Sequence, residues 1–338
     1  MRFRQLLCAV AVLAAVLAAG ACGGASDESG GAQVAAASAD GGRQTLSLVA
    51  FSTPEVVYDE LIPAFRKTED GAGVGFKTSY GASGEQSRAV EAGLNADIVH
   101  FSVEPDVTRL VKAGLIDESW KSGPSKGIGT NSVVSFIVRK GNPKDIRGWD
   151  DLLRPGVKVV TPNPFTSGAA KWNILGAYQH GGLSFVEKLI KEHVTVQPKS
   201  GREALQTFTG GEGDVLISYE YEYTLAARKG QDDVELVVPD DTFLIENPIA
   251  ITKDAGPAAK AFLDYVLSPA GQQFFANWGY RPVSKEVFDR NRDKFATPSK
   301  ITSIADLGGW EKVDKELFDP QTGSVARIEE EAGVSTGD

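Results

Sequence analysis

The hydrophobic and polar positions alternate between two periods along most of the chain beyond residue 44. A β-branched, apolar run at Thr45–Phe51 is typical of a buried strand, and apolar residues then recur at helical spacing from Val56 to Phe65. The same strand-then-helix order returns repeatedly along the sequence. This order predicts an α/β architecture with largely parallel strands.

The predicted elements follow from these two periods. The predicted strands are Thr45–Phe51, Val74–Tyr80, Asp97–Phe101, Val133–Lys140, Val157–Thr161, Val194–Gln197, Asp214–Tyr219, Val234–Pro239 and Ile249–Thr252. The predicted helices are 56–65, Ser83–Gly93, Ala169–Gln179, Ser184–Glu192, Arg202–Phe208, Gly256–Leu267, one opening at Ser268 and Pro269, and Lys312–Phe318. The tail, roughly residues 301–338, contains that last helix, and its polar composition predicts a frayed end.

Composition removes several classes of function. The 338 residues carry 35 Lys and Arg against 45 Asp and Glu, a net charge of −10, which disfavours binding to nucleic acid or another polyanion. The two cysteines, Cys8 and Cys22, both lie near the N-terminus. The body of the chain therefore has no thiol for a disulfide, a cysteine nucleophile or a Cys-based metal site, and we expect no metal and no cofactor.

The N-terminus has the pattern of an export signal. Arg2 and Arg4 precede an apolar run that is too short to span a membrane, and small residues lead to Cys22. The pattern resembles a bacterial lipobox and predicts a signal peptide at residues 1–21, a lipidated Cys22 and a flexible tether to residue 43. We therefore expect an extracytoplasmic domain anchored to the outer face of the cell membrane, periplasmic if the cell has an outer membrane.

Three strand-to-helix turns share one design suited to anions. They lie at Tyr80–Gln86, Thr161–Trp172 and Lys199–Ala204. In each, small residues at the helix start leave backbone N–H donors open to a ligand, and the positive end of the helix dipole adds to their attraction for negative charge. Every helix has an N-terminus, so an ordinary capped helix remains the alternative for any one turn taken alone.

The first two turns resemble the signature loops of the bacterial sulfate-binding proteins, the receptors of sulfate ABC importers. The matching segments are Ser79–Val90 and Thr161–Asn173. Further matches in order and spacing occur at Val138–Lys144, Gly148–Leu152, Gly213–Ile217 and Tyr280–Pro282. The resemblance covers about residues 45–310.

This resemblance implies a two-lobed fold of the class II periplasmic binding proteins, with the ligand in the cleft between the lobes. Lobe 1 would hold residues 44–136 and 245–338, and lobe 2 residues 137–244. The implied ligand-binding residues are Ser52, Ser83, Ser167, Gly168, Ala169, Gly201, Arg202 and Tyr219. Tyr219 stands where the family has an indole donor, and Ser52 where it has an aspartate. The implied protein is a monomeric receptor, not an enzyme, that delivers sulfate or thiosulfate to a membrane permease.

Several alternatives remain at this point. Sulfate accepts hydrogen bonds only, so loss of the aspartate favours it over protonated phosphate, but molybdate and other tetrahedral oxyanions are open. A tethered oxyanion sensor would have the same binding site. An α/β serine hydrolase built on Ser83 would need a histidine late in the chain, and none follows His193. His100 has the pattern of a packed strand residue, whereas Glu220 and Glu222 could line the cleft or solvate a helix start.

Overall fold

The computed structural model describes residues 44–336. The predicted signal peptide, the lipidation of Cys22 and the tether to residue 43 lie outside the described residues and stay predictions. Within the described range, no helix is both long enough and apolar enough to cross a membrane.

Strands and helices alternate through the described residues as the sequence predicts. The strands are β1 Thr45–Phe51, β2 Gly75–Gly81, β3 Ile98–His100, β4 Ile128–Arg139, β5 Val159–Val160, β6 Val194–Val196, β7 Val215–Tyr219, β8 Val234–Val237, β9 Asp241–Ile251 and β10 Lys300–Thr302. The α-helices are α1 Glu55–Phe65, α2 Ser83–Glu91, α3 Glu104–Lys112, α4 Gly168–Lys188, α5 Gly201–Thr209, α6 Glu220–Arg228, α7 Pro257–Leu267, α8 Pro269–Asn277, α9 Lys285–Arg290, α10 Trp310–Val313 and α11 Ser324–Glu331. Short 3₁₀ turns are at Glu118–Lys121, Trp149–Leu153, Arg292–Lys294 and Ala305–Leu307, and π turns at Leu189–His193 and Asp314–Phe318.

The strands form two parallel groups joined by antiparallel pairs. The sheet order is β2-β1-β3-β9-β4-β7-β5-β6, with β8 on β4 and β10 on β9. In the first strand group β1 pairs in parallel with β2 and β3, and in the second β5 pairs in parallel with β6 and β7. The predicted parallel strands are therefore present in both groups, and the pairs between β3, β9, β4 and β7 are antiparallel.

The long strands β4 and β9 connect the two groups. Residues 128–133 of β4 pair with β9, whereas residues 134–138 pair with β7. Both strands are longer than predicted, and several of their added residues are polar yet buried, namely Thr130, Ser132, Thr242 and Asn247. Thr130 donates to Asn247 at 3.3 Å, and Thr242 donates to the Val134 carbonyl at 2.6 Å. These hydrogen bonds allow polar residues to occupy interior strands.

Helix α4 covers the helix predicted at Ala169–Gln179 and the first part of the helix predicted at Ser184–Glu192. It runs from Gly168 to Lys188, but Gly182 inside it has φ +69° and ψ −166°, which breaks the helical geometry. Glycine adopts this conformation without a Cβ penalty. The predicted break between two helices is therefore confirmed, and after Lys188 the second helix continues as the π turn Leu189–His193.

The C-terminal region contradicts the predicted frayed end. Helix α11 buries Val325, Ala326, Ile328 and Glu329. The Gln197 amide donates to Glu329 at 2.9 Å, while the other carboxylate oxygen of Glu329 has no hydrogen-bond partner. The apolar face of α11 is short and lies among charged residues in the sequence, so the hydrophobic pattern there is weak. This explains why the sequence predicted a frayed end.

Glu329 should make stability depend on pH. Burial raises the pKa of Glu329 to about 7. Because the folded state then holds the proton more tightly than the unfolded chain, this residue lowers the free energy of unfolding as pH rises from about 4.5 to 7. We expect Glu329→Gln to stabilise the protein above pH 7, by up to roughly 3 kcal/mol, and to have little effect near pH 4.

Denaturant unfolding at pH 4.5 and pH 8 would measure this effect. The exposed Glu311→Gln provides the control for loss of a negative charge. An equal effect of Glu329→Gln at both pH values would contradict the prediction.

Candidate anion-binding site

The candidate site lies where the carboxyl ends of the six parallel strands meet. In open α/β sheets, ligands bind outside these ends. The residues that end or follow these strands are Ser52 and Thr53 after β1, Ser83 after β2, Ser102 after β3, Ser167 after β5, Gly201 after β6 and Tyr219 at the end of β7.

Direct contacts join the ends of the two strand groups. The Ser102 backbone N–H donates to the Ser83 hydroxyl at 2.9 Å, and the Ser102 hydroxyl lies 2.6 Å from the Tyr219 hydroxyl. The Gly84 N–H donates to the Thr166 carbonyl at 3.2 Å. The first and second of the predicted turns therefore touch each other.

Gly201 brings the third turn into the same place. A Cβ built on Gly201 would lie 3.4 Å from the Cβ of Ala169, 3.6 Å from Thr53 and 3.8 Å from the ring of Tyr219. Gly168 is packed more tightly, since a Cβ there would lie 2.6 Å from the Cβ of Ser102. The structure thus brings all three predicted turns together with Tyr219.

Two of the helix starts in this cluster have donors that no side chain caps. Helix α2 begins after Ala82 and helix α4 after Ser167, and neither N-cap side chain accepts a bond from its helix. Both starts are buried. At the start of α2 the Gly84 N–H already has the Thr166 carbonyl as its partner. The other N–H groups of these buried helix starts need partners, and an anion is well suited to that role.

The start of α5 is different, because it has an ordinary cap. The Ser200 hydroxyl accepts from the Glu203 N–H at 3.2 Å. The contribution of the third turn is therefore the small residue Gly201, whose neighbours are described above, together with Arg202.

Beside these helix starts is a cleft of about 270 Å³. Gly84, Thr166, Ser167 and Gly168 line it. These are residues of the first and second predicted turns, so the space is adjacent to both uncapped helix N-termini. The cleft is large enough for a small solute, but the carboxylates Glu91, Asp106 and Asp314 also line it, whereas Ser52, Ser83, Gly201, Arg202 and Tyr219 do not.

Ser83 uses its side chain within the protein. Its hydroxyl donates to the Asp106 carboxylate at 2.6 Å while accepting the N–H of Ser102. Asp106 is buried and forms an ion pair with Arg109 at 3.3 Å. What Ser83 can offer a ligand is therefore its backbone N–H at the start of α2.

Arg202, the cation of the third turn, is compensated by neighbours. Arg202 donates to the Thr53 carbonyl at 2.7 Å and lies 3.4 Å from the Glu222 carboxylate. Burial raises the pKa of Glu222, and the nearby Arg202 opposes that rise. The Nε of Arg202 and one oxygen of Glu222 are buried without a hydrogen-bond partner.

Sequence reasoning missed two residues of this cluster. Thr53 is buried, and its hydroxyl lies 2.9 Å from the Tyr221 hydroxyl, whereas its neighbour Ser52 is half-buried in the same turn. Ser102 contacts both strand groups. The available signal was a hydroxyl residue two positions after the end of β1 and of β3.

The remaining candidate residues have structural partners. His100 is buried with its Nδ1 2.7 Å from the Tyr58 hydroxyl, and burial lowers its pKa to about 3, as expected for a packed strand residue. Glu220, like Glu222, is buried, and it pairs with Arg281, so neither glutamate is a solvated helix start. Lys171 pairs with Asp314 at 2.6 Å. Among residues 44–336, no cluster of His, Asp and Glu is arranged to hold a metal ion.

Two groups of parallel strands, joined by two long strands and facing each other across buried helix starts, define a two-lobed solute-binding protein. Residues 46–281 match the family model of the bacterial extracellular solute-binding proteins. The chain belongs to this family and, within it, to the sulfate-binding proteins.

Individual relatives agree with this placement. A sulfate-binding protein of Synechococcus elongatus is 38% identical, with 90% of each chain covered. A thiosulfate-binding protein of Pseudomonas aeruginosa is 34% identical over 81% of this chain and 89% of its own. The solved structure of the sulfate-binding protein SubI from Mycobacterium tuberculosis is 48% identical, with a TM-score of 0.79, and the match covers 82% of this chain and all of the other.

Proposed function

We propose that this protein is an extracytoplasmic receptor that binds sulfate between two lobes and presents it to the permease of an ABC importer. In this proposal lobe 1 comprises residues 44–136 and 245–338, and lobe 2 comprises residues 137–244. The strands β4 and β9 serve as the hinge. The buried, uncapped helix starts at Ser83 and Gly168 are the observation that carries the proposal.

The chemistry of these donors suits a dianion that accepts hydrogen bonds only. The ligand-binding residues of the proposal are Ser52, Ser83, Ser167, Gly168, Ala169, Gly201, Arg202 and Tyr219. Most of them offer backbone N–H groups, which are neutral and need no counterion. A hydrogen bond to a charged group contributes about 1.5–3 kcal/mol, so five such bonds give roughly 7–15 kcal/mol before costs. Micromolar binding needs about 8 kcal/mol.

Thiosulfate is a second candidate ligand, favoured by the relative that is named for it. It has the same tetrahedral shape and charge with one sulfur in place of an oxygen. The same site would hold its oxygen face by the same donors. Separate calorimetric titrations with sulfate and with thiosulfate would show which of the two anions binds more tightly.

A binding role is also supported over hydrolysis at Ser83. All three histidines of the chain have partners elsewhere: His100 at Tyr58, His180 at Asp150 and Asp241, and His193 at the Val157 carbonyl. None of these partners is Ser83, whose hydroxyl donates to Asp106. The serine therefore lacks the general base that a hydrolase requires.

The proposal places the receptor at the outer face of the cell membrane as a monomer. The export pattern at residues 1–21 and the small residues before Cys22 support lipidation there. A lipid at Cys22 with about twenty tether residues would leave the binding domain free to reach a permease.

Isothermal titration calorimetry of the full-length protein tests the proposal. We expect sulfate to bind at micromolar or tighter affinity and to remain bound in the presence of excess phosphate. Protonated phosphate has an O–H that needs a hydrogen-bond acceptor, and the N–H groups of the site are donors only. Displacement of sulfate by equimolar phosphate would refute the selectivity, and no binding of sulfate or thiosulfate would refute the function.

A further inference from the structure

Strand β3 is the one parallel strand whose end has no residue in the proposed ligand set, and Ser102 lies at that end. It follows β3 and is 1% exposed. The other five strand ends each contribute at least one residue to the proposed ligand set. Its place in the sheet puts Ser102 in the same row as those residues.

Ser102 contacts both strand groups through every polar atom that it has. Its N–H donates to the Ser83 hydroxyl, and its carbonyl accepts from the indole of Trp172 at 2.9 Å and from Asn247 at 3.0 Å. Its hydroxyl lies 2.6 Å from that of Tyr219. The backbone of Ser102 is therefore held by three hydrogen bonds, and its hydroxyl has Tyr219 as its hydrogen-bond partner.

The hydroxyl of Ser102 also lies against the uncapped start of α4. A Cβ built on Gly168 would be 2.7 Å from the Ser102 oxygen. The Ser102 hydroxyl oxygen is thus close to Gly168, the first residue of α4, and to Tyr219. The backbone N–H of Ser102 contacts Ser83. All three belong to the proposed ligand set.

We infer that Ser102 is a further ligand-contacting residue, whose hydroxyl donates to the bound oxyanion, and that Tyr219 acts on the anion through Ser102 as a positioning residue rather than by the direct contact assigned to it above. This inference rests on the proposed function. The two hydroxyls are within hydrogen-bond distance, so one donates to the other. Because the anion can only accept hydrogen bonds, the favourable arrangement has Tyr219 donating to Ser102 and Ser102 donating to the anion.

This direction has a chemical advantage. A chain of hydrogen bonds strengthens each member, so a serine that accepts from Tyr219 is a better donor. Burial raises the pKa of Tyr219, which keeps its proton in place to donate. A tyrosine at this position thereby serves the anion without contacting it.

Calorimetry with sulfate on the full-length protein and three variants tests the inference. We expect Ser102→Ala to weaken binding about 10- to 100-fold, the value of one hydrogen bond to a charged group. Tyr219→Phe should weaken it less. Adding Tyr219→Phe to Ser102→Ala should cause no further loss, because the tyrosine acts through the serine.

A purely structural role for Ser102 predicts a different result. In that case Ser102→Ala would lower the unfolding temperature without anion and leave the sulfate-induced rise in that temperature intact. We expect Ser102→Ala to leave the unfolding temperature without anion nearly unchanged and to reduce the rise that sulfate causes. Ser135→Ala is the matched control, since it removes an equally buried serine hydroxyl whose contact is the Val133 carbonyl at 3.3 Å in β4.

The possible outcomes distinguish a failure of this inference from a failure of the proposed function. Unchanged sulfate affinity in Ser102→Ala would overturn the inference and leave the proposed function standing. An equal loss from Tyr219→Phe with and without Ser102 would overturn the positioning role. Failure of the unsubstituted protein to bind sulfate would overturn the inference together with the proposed function.

Discussion

Gly168→Ala is expected to reduce sulfate binding at least 100-fold, to the limit of calorimetric detection, while the protein stays folded. The added Cβ would lie 2.6 Å from the Cβ of Ser102 and 3.2 Å from a methyl of Val103. These contacts are too short to be accommodated unless the start of α4 moves away from the end of β3. Because the proposed donors come from both sides of this contact, the movement separates them.

The size of this effect follows from losing several hydrogen bonds together. Two bonds to a charged ligand contribute about 3–6 kcal/mol, which is at least 100-fold in affinity. Gly123→Ala is the control, because a Cβ built there meets no atom within 4 Å. Sulfate affinity in Gly168→Ala within a few-fold of the control would remove the start of α4 from the site.

The strand ends and helix starts around the site were predictable because their signals are local. Ser83, Gly168 and Gly201 each stand at or next to a helix start that the sequence placed within a residue. A short apolar run followed by small polar residues and a helical period fixes both the end of a strand and the start of a helix. That these turns meet was implied only by the family resemblance.

The ends of the central strands were harder to predict because several of their buried residues are polar. In β4 and β9, Thr130, Ser132, Thr242 and Asn247 are fully buried. A hydrophobicity pattern treats such residues as exposed. Only hydrogen bonds between distant segments make their burial favourable, and a single sequence gives no signal for those bonds.

The same reasoning explains why Thr53 and Ser102 were missed. Each is a small hydroxyl residue between an apolar strand and a helix, a position where serine and threonine usually serve as caps. What distinguishes Ser102 is its contacts with Tyr219 and Trp172, more than 65 residues away in sequence. Tertiary contacts of that separation are not visible in local patterns.

The largest expected effect on stability comes from the buried pair of Glu220 and Arg281. Arg281 donates to the Glu220 carboxylate from two nitrogens and to the Ala296 carbonyl at 2.8 Å. Both side chains are buried, and Glu220 directly follows Tyr219 in the chain. We expect Arg281→Met to lower the free energy of unfolding at pH 7 by roughly 3–5 kcal/mol, because it leaves a buried carboxylate unpaired.

The pH dependence identifies the cause of that loss. Burial raises the pKa of Glu220, and the bonds to Arg281 oppose the rise. Without the arginine the folded pKa rises further, so Arg281→Met should lose stability as pH rises above the ordinary glutamate range and approach the unsubstituted protein towards pH 5. In Glu220→Gln with Arg281→Met the carboxylate is gone, so denaturant unfolding should show a smaller loss at pH 7 and little dependence on pH. A double variant as unstable as Arg281→Met at pH 7 would mean that lost packing, rather than the unpaired charge, causes the effect.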